Sequence, residues 1–256
     1  MDALIVAGGI PAADDPLGSY SRGRPKSLIE VAGRPLVQWV LDAVAASPRI
    51  EKVIVVGLDD SVDLKCPKPL AFVPEQGSML RNSRAGLAFA GTQRGDSEHL
   101  LMSTADIPLI TSEMVTFRAD QIEQAGAGLD YCIIERSVME ARFPGSRRSY
   151  VRMKDVEACG GDIHGARLDL SSDDALWDRL LAARKNALKQ AYLIGPDTAL
   201  LLLLHLATVE WAEKRIGRRL HLHAKAQRCP FAEVGMDVDK PFQLEIVRRE
   251  LEAGSS

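Results

Sequence analysis

The sequence predicts an α/β fold: a mostly parallel central sheet with helices on both faces and an inserted subregion. Two observations point to it. Apolar runs rich in Ile, Val and Leu alternate with segments of helical period through residue 135, and that pitch implies parallel strands joined by crossover helices. Composition agrees with a packed globular chain, with 46% hydrophobic and 26% charged residues over 256 positions. A chain of this length suits one large domain or two small ones.

Residues 3–7 form a buried strand that stops at Gly8-Gly9. A loop follows, and residues 35–46 read as a helix with Pro35 at its N-terminus. Strands are expected at 52–57 and 71–74, a helix at 83–90, and a strand at 99–103 running into Thr104-Ala105-Asp106. A helix over 112–124 is capped by Thr111 or Ser112 with Glu113 close behind, and 131–135 is a fifth strand. The second half is less regular. Residues 143–155 carry a basic, alternating pattern that suggests an exposed strand. Residues 159–162 read as a turn, 173–192 and 197–215 as helices, 220–224 as an alternating strand and 242–251 as a closing helix. With no internal repeat and no low-complexity linker, the reading is one domain over 1–256 with a subregion near 136–230.

The charge sum is 32 − 35 = −3 and the pI is near 6.0, so bulk charge does not suit a nucleic acid partner. Cys66, Cys132, Cys159 and Cys229 form no C-x-x-C pair, as expected of reduced thiols in the cytoplasm. The first residues, Met-Asp-Ala-Leu-Ile-Val, lack the basic region of a signal peptide. The apolar stretch 199–209 is too short for a membrane helix and holds His205, so no membrane partner is expected.

Ligands of open parallel sheets lie at the carboxyl ends of the strands. That rule puts Gly8-Gly9, the segment after Pro74 and Asp106 on one edge. Backbone amides at Ala7-Gly8-Gly9, with Arg22, Arg24 and Lys26 after them, suit a polyphosphate. Neither G-x-x-x-x-G-K-[ST] nor G-x-G-x-x-G occurs, which excludes a P-loop and leaves a dinucleotide site unsupported. Asp237 and Asp239 lie two apart, so in extended backbone their carboxylates share a face, as a hard cation requires. The basic cluster of Arg147, Arg148, Arg152 and Lys154 is either an anionic-acceptor site or a charged edge strand. His221 and His223 have ligand-like spacing but no third partner nearby, which favours surface alternation.

In order along the chain stand Ala7-Gly8-Gly9, Arg24-Pro25-Lys26-Ser27-Leu28, Ala32-Gly33-Arg34-Pro35-Leu36, Ser103-Thr104-Ala105-Asp106-Ile107-Pro108 and Asp237-Val238-Asp239-Lys240-Pro241. This set resembles the GT-A type nucleotidyltransferases, and among them the MobA-like NTP transferases. The resemblance implies a Rossmann-like GT-A nucleotidyltransferase fold. It divides the chain into a nucleotide-binding half (1–135), an acceptor-binding subregion (136–230) and a metal-binding segment with the C-terminal helix (231–256). It further implies that Ala7, Gly8 and Gly9 line the nucleotide, that Lys26 contacts the triphosphate, and that Gln76, Gly77 and Ser78, with Asn82 nearby, face the base. Asp106, Asp237 and Asp239 would hold Mg²⁺ or Mn²⁺. Lys26 and Asp106 are the catalytic pair. Gly160-Gly161-Asp162 resembles an acceptor-contacting Gly-Gly-Asn segment, with Asp in place of the usual Asn, and Arg152 and Lys154 are the basic acceptor contacts. The family's arginine after the glycines is absent from 10–16, which leaves Arg22 or Arg24 for that role.

The expected reaction is attack by an acceptor phosphate on the α-phosphorus of an NTP with release of pyrophosphate, requiring no protein nucleophile. The partners are then an NTP and a small phosphorylated acceptor, with a homodimer as the candidate assembly. Two alternatives are a GT-A glycosyltransferase using an NDP-sugar, which typically lacks the Pro-Lys segment, and a nucleotide-binding regulator without catalysis.

Overall fold

The strand β1 (Asp2–Val6) runs through the centre of the sheet, with β4 (Val53–Val56) and β6 (His99–Thr104) parallel to it on either side. The structure, a computed structural model, describes residues 1–12, 14–93, 98–183 and 195–254. Strand period sorts the side chains of β1. Ala3 and Ile5 enter one core with Leu36, Val40 and Val44 of α2 (Leu36–Ala46), Val115 and Ile122 of α4 (Ser112–Ala125), and Leu244 and Val247 of α9 (Pro241–Gly254). Leu4 enters a second core on the other face with Leu87 and Ala90 of α3 (Met79–Thr92) and Trp177 of α6 (Asp174–Ala183). Full burial of Leu4 stabilises by about 1.5–3 kcal/mol, and so does each comparable aliphatic side chain. The sheet therefore needs helices on both faces.

Next to β4 lies β5 (Leu70–Val73), also parallel. Beyond β6 the pattern changes. The strand β10 (Ile163–Arg167) is antiparallel to both β6 and β7 (Leu129–Glu135) and wedges between them. On β7 sit β11 (Ala224–Arg228), parallel, and β9 (Glu157–Gly160), antiparallel, with β8 (Val151–Arg152) at the edge. A small hairpin of β2 (Glu30–Val31) and β3 (Arg34–Pro35) leads into α2. Short helices α1 (Gly18–Ser21) and α5 (Arg136–Arg142) complete the first part, and α7 (Pro196–Leu203) and α8 (Val209–Leu220) lie in the second. Among the described residues no helix is long and apolar enough to cross a membrane. The four cysteines are free thiols.

Several expectations from the sequence need correction. The turn expected at 159–162 is a break within one long strand. Gly160 faces Ile133 while Gly165 faces Asp130, so five residues advance (165 − 160) against three on β7 (133 − 130). Two extra residues make an enlarged bulge, a device that re-aims side chains at sheet rims. The expected helix 197–215 is two helices. His205, with φ +57°, breaks the path, and the Thr208 side chain accepts from the Trp211 amide at 3.2 Å to start α8. The strand expected at 220–224 is the helix end: His221 is the left-handed C-cap of α8 and β11 starts at Ala224. Of the strand expected over 143–155, only Val151–Arg152 forms. The helix expected at 83–90 starts at Met79, because Ser78 caps it by accepting from the Arg81 amide at 3.4 Å. The helix expected over 173–192 is seen as Asp174–Ala183, and its remainder lies outside the described residues.

Candidate functional site

Strands β1, β4, β5 and β6 end along one rim. The Ala7 amide donates to the Val56 carbonyl at 2.8 Å, and the Ala7 carbonyl accepts from Ser27 Oγ at 2.6 Å. The Gly9 carbonyl accepts from the Lys26 amide at 3.1 Å. These bonds fold the Lys26 turn back over the end of β1. Glycine is required where the strand ends meet. A Cβ on Gly8 would stand 1.5 Å from Glu75 Oε2, and a Cβ on Gly57, whose φ is +96°, would stand 2.3 Å from Gly8 Cα.

The loop after β5 is braced from within. Glu75 accepts from the Gly77 amide at 2.8 Å and from Asn82 Nδ2 at 2.9 Å, while Asn82 Oδ1 accepts from the Gln76 amide at 2.7 Å. Gln76 Nε2 donates to the Pro74 carbonyl at 2.7 Å. Asn82 is therefore a buried support, with both ends of its amide spent on the loop that carries Gln76 and Gly77.

Three distant segments meet at Lys26. Its Nζ donates to Asp239 Oδ1 at 2.6 Å and pairs with Asp106 Oδ2. The Asp106 carbonyl accepts from the Val238 amide at 2.9 Å, which binds the 236–239 segment to the end of β6. The Asp239 amide donates to Gln243 Oε1 at 3.1 Å. Asp237 pairs with Arg148, whose Nη2 donates to the Gly160 carbonyl at 3.1 Å, and its carboxyl also lies within hydrogen-bond reach of Asp239. The bulge delivers Asp162 to the same place. Its carbonyl accepts from the Thr104 amide at 3.2 Å and its amide donates to the Val234 carbonyl at 2.8 Å.

Four carboxylates around two cations set the electrostatics. Burial works to discharge Lys26, but Asp106 and Asp239 outweigh it and raise its pKa, so it stays charged. Burial, together with Asp239 and Asp106, pushes Asp237 up to about 7 against the pull of Arg148. Burial also acts to raise Asp239, yet the Lys26 charge beside it draws its pKa below the usual carboxylate range. Asp162 is held well above its ordinary value by burial and by Asp106 and Asp237. On the same bulge His164 is pushed down to about 4 by burial and by Arg118, and its Nδ1 accepts from the Cys132 amide at 3.2 Å. The His164 ring stacks on Tyr131 with 4.6 Å between centroids. Burial and Asp162 raise the Tyr131 phenol, which keeps its proton.

Thus Ala7, Gly8, Gly9, Lys26, Asp106, Asp237, Asp239, Gly161 and Asp162 lie on or beside one rim, with Gln76, Gly77, Ser78 and Asn82 on the adjoining loop. Arg22 and Arg24 lie on the exposed turn after α1. Arg152 and Lys154 are exposed at the sheet edge, where the Lys154 amide donates to the Ala207 carbonyl at 2.9 Å. The arginine that reaches the carboxylates is Arg148. Sequence spacing did not separate it from Arg147 or Arg152, because the choice depends on a left-handed bend at Arg147. Glu75, the brace of the loop, also went unread, although its place directly after β5 and Pro74 was visible.

The donor chemistry suits a hard divalent cation. Every candidate ligand is a carboxylate oxygen, and Asp106 Oδ1 and Asp162 Oδ2 are buried with no hydrogen-bond partner among the described residues. Among those residues no three His, Cys, Asp or Glu side chains are already arranged to hold an ion; Lys26 and Arg148 are paired with the carboxylates there.

Comparison with known proteins follows the same lines. The MobA-like NTP transferase domain matches residues 3–138, just over half the chain. A hypothetical transferase from Thermus thermophilus is 32% identical, covers 95% of this chain and 98% of its own, and superposes with a TM-score of 0.80. A 4-diphosphocytidyl-2C-methyl-D-erythritol synthase from Anaerococcus prevotii is 14% identical, with 98% and 95% covered and a TM-score of 0.58. A CMP:2-keto-3-deoxy-manno-octonic acid synthetase solved with CTP is 13% identical, with 99% and 100% covered and a TM-score of 0.58. No curated protein matches the chain in sequence. The last two structures share the fold, while the domain match and the 32% identical transferase carry the assignment: this chain belongs to the MobA-like NTP transferase family and is a nucleotidyltransferase.

Proposed function

We propose that the protein transfers a nucleoside monophosphate from an NTP to a small phosphorylated acceptor, releasing pyrophosphate, with a divalent ion at the carboxylate cluster. The observation that carries this reading is Lys26, drawn from an early loop onto Asp106 and Asp239 at the ends of strands that also present Ala7-Gly8-Gly9. Asp106, Asp237 and Asp239 would hold Mg²⁺ or Mn²⁺, which would supply charge neutralisation at the α-phosphate.

The remaining work falls to the chain. The backbone at Gly8 and Gly9 lets the nucleotide approach without a side chain in the way. Lys26, kept charged by its two carboxylates, stabilises the negative charge that develops on departing pyrophosphate. Gln76, Gly77 and Ser78, held by Glu75 and Asn82, present a fixed edge to the base. Gly161 and Asp162 border the acceptor, and Arg152 and Lys154 attract an anion toward it from the sheet edge. No side chain is needed as a nucleophile, because alignment and charge neutralisation carry this class of transfer.

The test is pyrophosphate release from ATP, GTP, CTP and UTP with Mg²⁺ and a panel of phosphorylated sugars and polyols. Release that depends on both NTP and acceptor is expected. Turnover of an NDP-sugar with no pyrophosphate from any NTP would assign the glycosyltransferase reading instead. NTP binding with no turnover across the panel would assign a binding protein.

A further inference from the structure

We propose that Arg148 and Tyr131 form the subsite that grips the phosphate monoester of the acceptor. This rests on the nucleotidyl-transfer reading above and names the residues that select its second substrate.

Both side chains converge on Gly160, at the start of the bulge. Arg148 donates to the Gly160 carbonyl at 3.1 Å. A Cβ at Gly160 would stand 2.5 Å from the Tyr131 hydroxyl, so only glycine lets the phenol close onto the strand. Asp162, two residues further on, acts on both groups. The site is accessible: Tyr131 is 45% exposed, and the Arg148 side chain keeps 17% of its surface open beside the carboxylates.

The backbone is bent to aim Arg148 there. Arg147 adopts φ +51°, a conformation that glycine takes easily and arginine rarely, and its guanidinium lies over the Phe242 ring at 5.2 Å. The turn is tied by the Ser146 amide to the Phe143 carbonyl at 3.0 Å. Consecutive arginines thus face opposite ways, Arg147 onto α9 and Arg148 onto the bulge.

The chemistry favours phosphate. Arginine offers planar paired donors that fit two oxygens of an oxyanion, and its contacts with Asp237, Gly160 and the Cys159 thiol do not use all five donors. The protonated Tyr131 hydroxyl adds a donor for a third oxygen. Donors aimed at three separate oxygens match a phosphate monoester, whereas a carboxylate offers only two oxygens in one plane. Lys26 approaches the carboxylates from the nucleotide side and Arg148 from the bulge side, so the two cations serve different substrates.

The experiment is a titration of orthophosphate into the protein saturated with Mg²⁺ and an α,β-methylene NTP analogue, followed by calorimetry, with acetate as the comparison anion. Saturable orthophosphate binding is expected. It should weaken at least tenfold in Arg148→Ala, weaken in Arg148→Lys where a point charge replaces the fork, and weaken about threefold in Tyr131→Phe. Acetate should not compete. Orthophosphate binding unchanged in both Arg148 variants, absent from the wild type, or displaced by acetate would overturn the proposal. Failure of the nucleotide analogue itself to bind would instead overturn the nucleotidyl-transfer reading. Arg148→Lys keeps the positive charge beside Asp237, so it reports on the subsite even if Arg148→Ala does not fold.

Discussion

In the proposed reaction Lys26 ties the stability of the site to its chemistry at a single atom. Its Nζ is the counter-charge of Asp106 and Asp239. Removing one partner from a largely buried pair leaves the other charges uncompensated. Lys26→Met should lower pyrophosphate release by roughly 10²-fold or more. It should also make melting more dependent on Mg²⁺ than in the wild type, because a divalent ion can take over the neutralisation. Equal Mg²⁺ dependence of melting in both proteins, with full turnover, would remove Lys26 from the site.

His164 offers a second test at the same scale. Its native pKa is near 4 against an ordinary 6.5, and protonation would end the hydrogen bond that Nδ1 accepts from Cys132. The unfolded chain takes up this proton at higher pH than the native one, so stability falls as pH drops from about 6.5 to 4. The difference corresponds to roughly 3 kcal/mol at most. His164→Gln should flatten the pH dependence of unfolding free energy across that window. Profiles of equal slope would show that the native ring takes its proton as freely as an unfolded one.

At the scale of elements, the junction of three strand ends depends on missing side chains. Gly57→Ala would press a Cβ onto Gly8 Cα in a backbone of positive φ, and should cost about 2 kcal/mol or more in urea unfolding. Gly8→Ala meets the far end of the Glu75 side chain, which can move, but only by releasing Gly77 and Asn82. It should therefore weaken NTP binding about tenfold with little change in melting. In Gly8→Ala/Glu75→Ala the two losses should not add, because either change alone already frees the same loop. Additive losses would place Glu75 outside that linkage.

The first half of these elements was legible because each strand carries its own period and each helix its own punctuation. Ala3 to Ile5 and 53–56 are buried runs that no other element explains as simply. The bulge was not legible. Gly160-Gly161 has the composition of a turn, and only the pairing of β7 with both halves of the strand shows that the chain keeps its direction through a bulge. Helix ends at His205 and His221 were missed for a related reason: both adopt left-handed φ, which sequence rules expect of glycine or asparagine.

For the whole molecule, the sheet solves a problem of distance along the chain. Lys26, Asp106 and Asp239 are scattered, yet β1 and β6 are neighbours and the Val238 amide is fastened to Asp106. The sequence supported this convergence only through the rule that ligands sit at strand carboxyl ends and through the ordered motifs. It named Arg148 only as one of four clustered basic residues and could not single it out, because its reach depends on the bend at Arg147 and the path of the bulge. Nor could it reveal that Asp162 shares the field of the other three carboxylates, since the antiparallel wedge of β10 brings it there.

The central claim is that these segments gather around one divalent ion and a nucleotide's phosphates. The most direct measurement is the melting temperature of the wild type and Asp106→Asn with ATP, GTP, CTP or UTP, each with and without Mg²⁺. At about 100 times its dissociation constant a nucleotide adds roughly 2.7 kcal/mol, a shift of several degrees. The account predicts such a shift for the wild type with at least one NTP only when Mg²⁺ is present, and none for Asp106→Asn, whose ligand-free melting persists. An Mg²⁺-dependent shift of the same size in Asp106→Asn would contradict it.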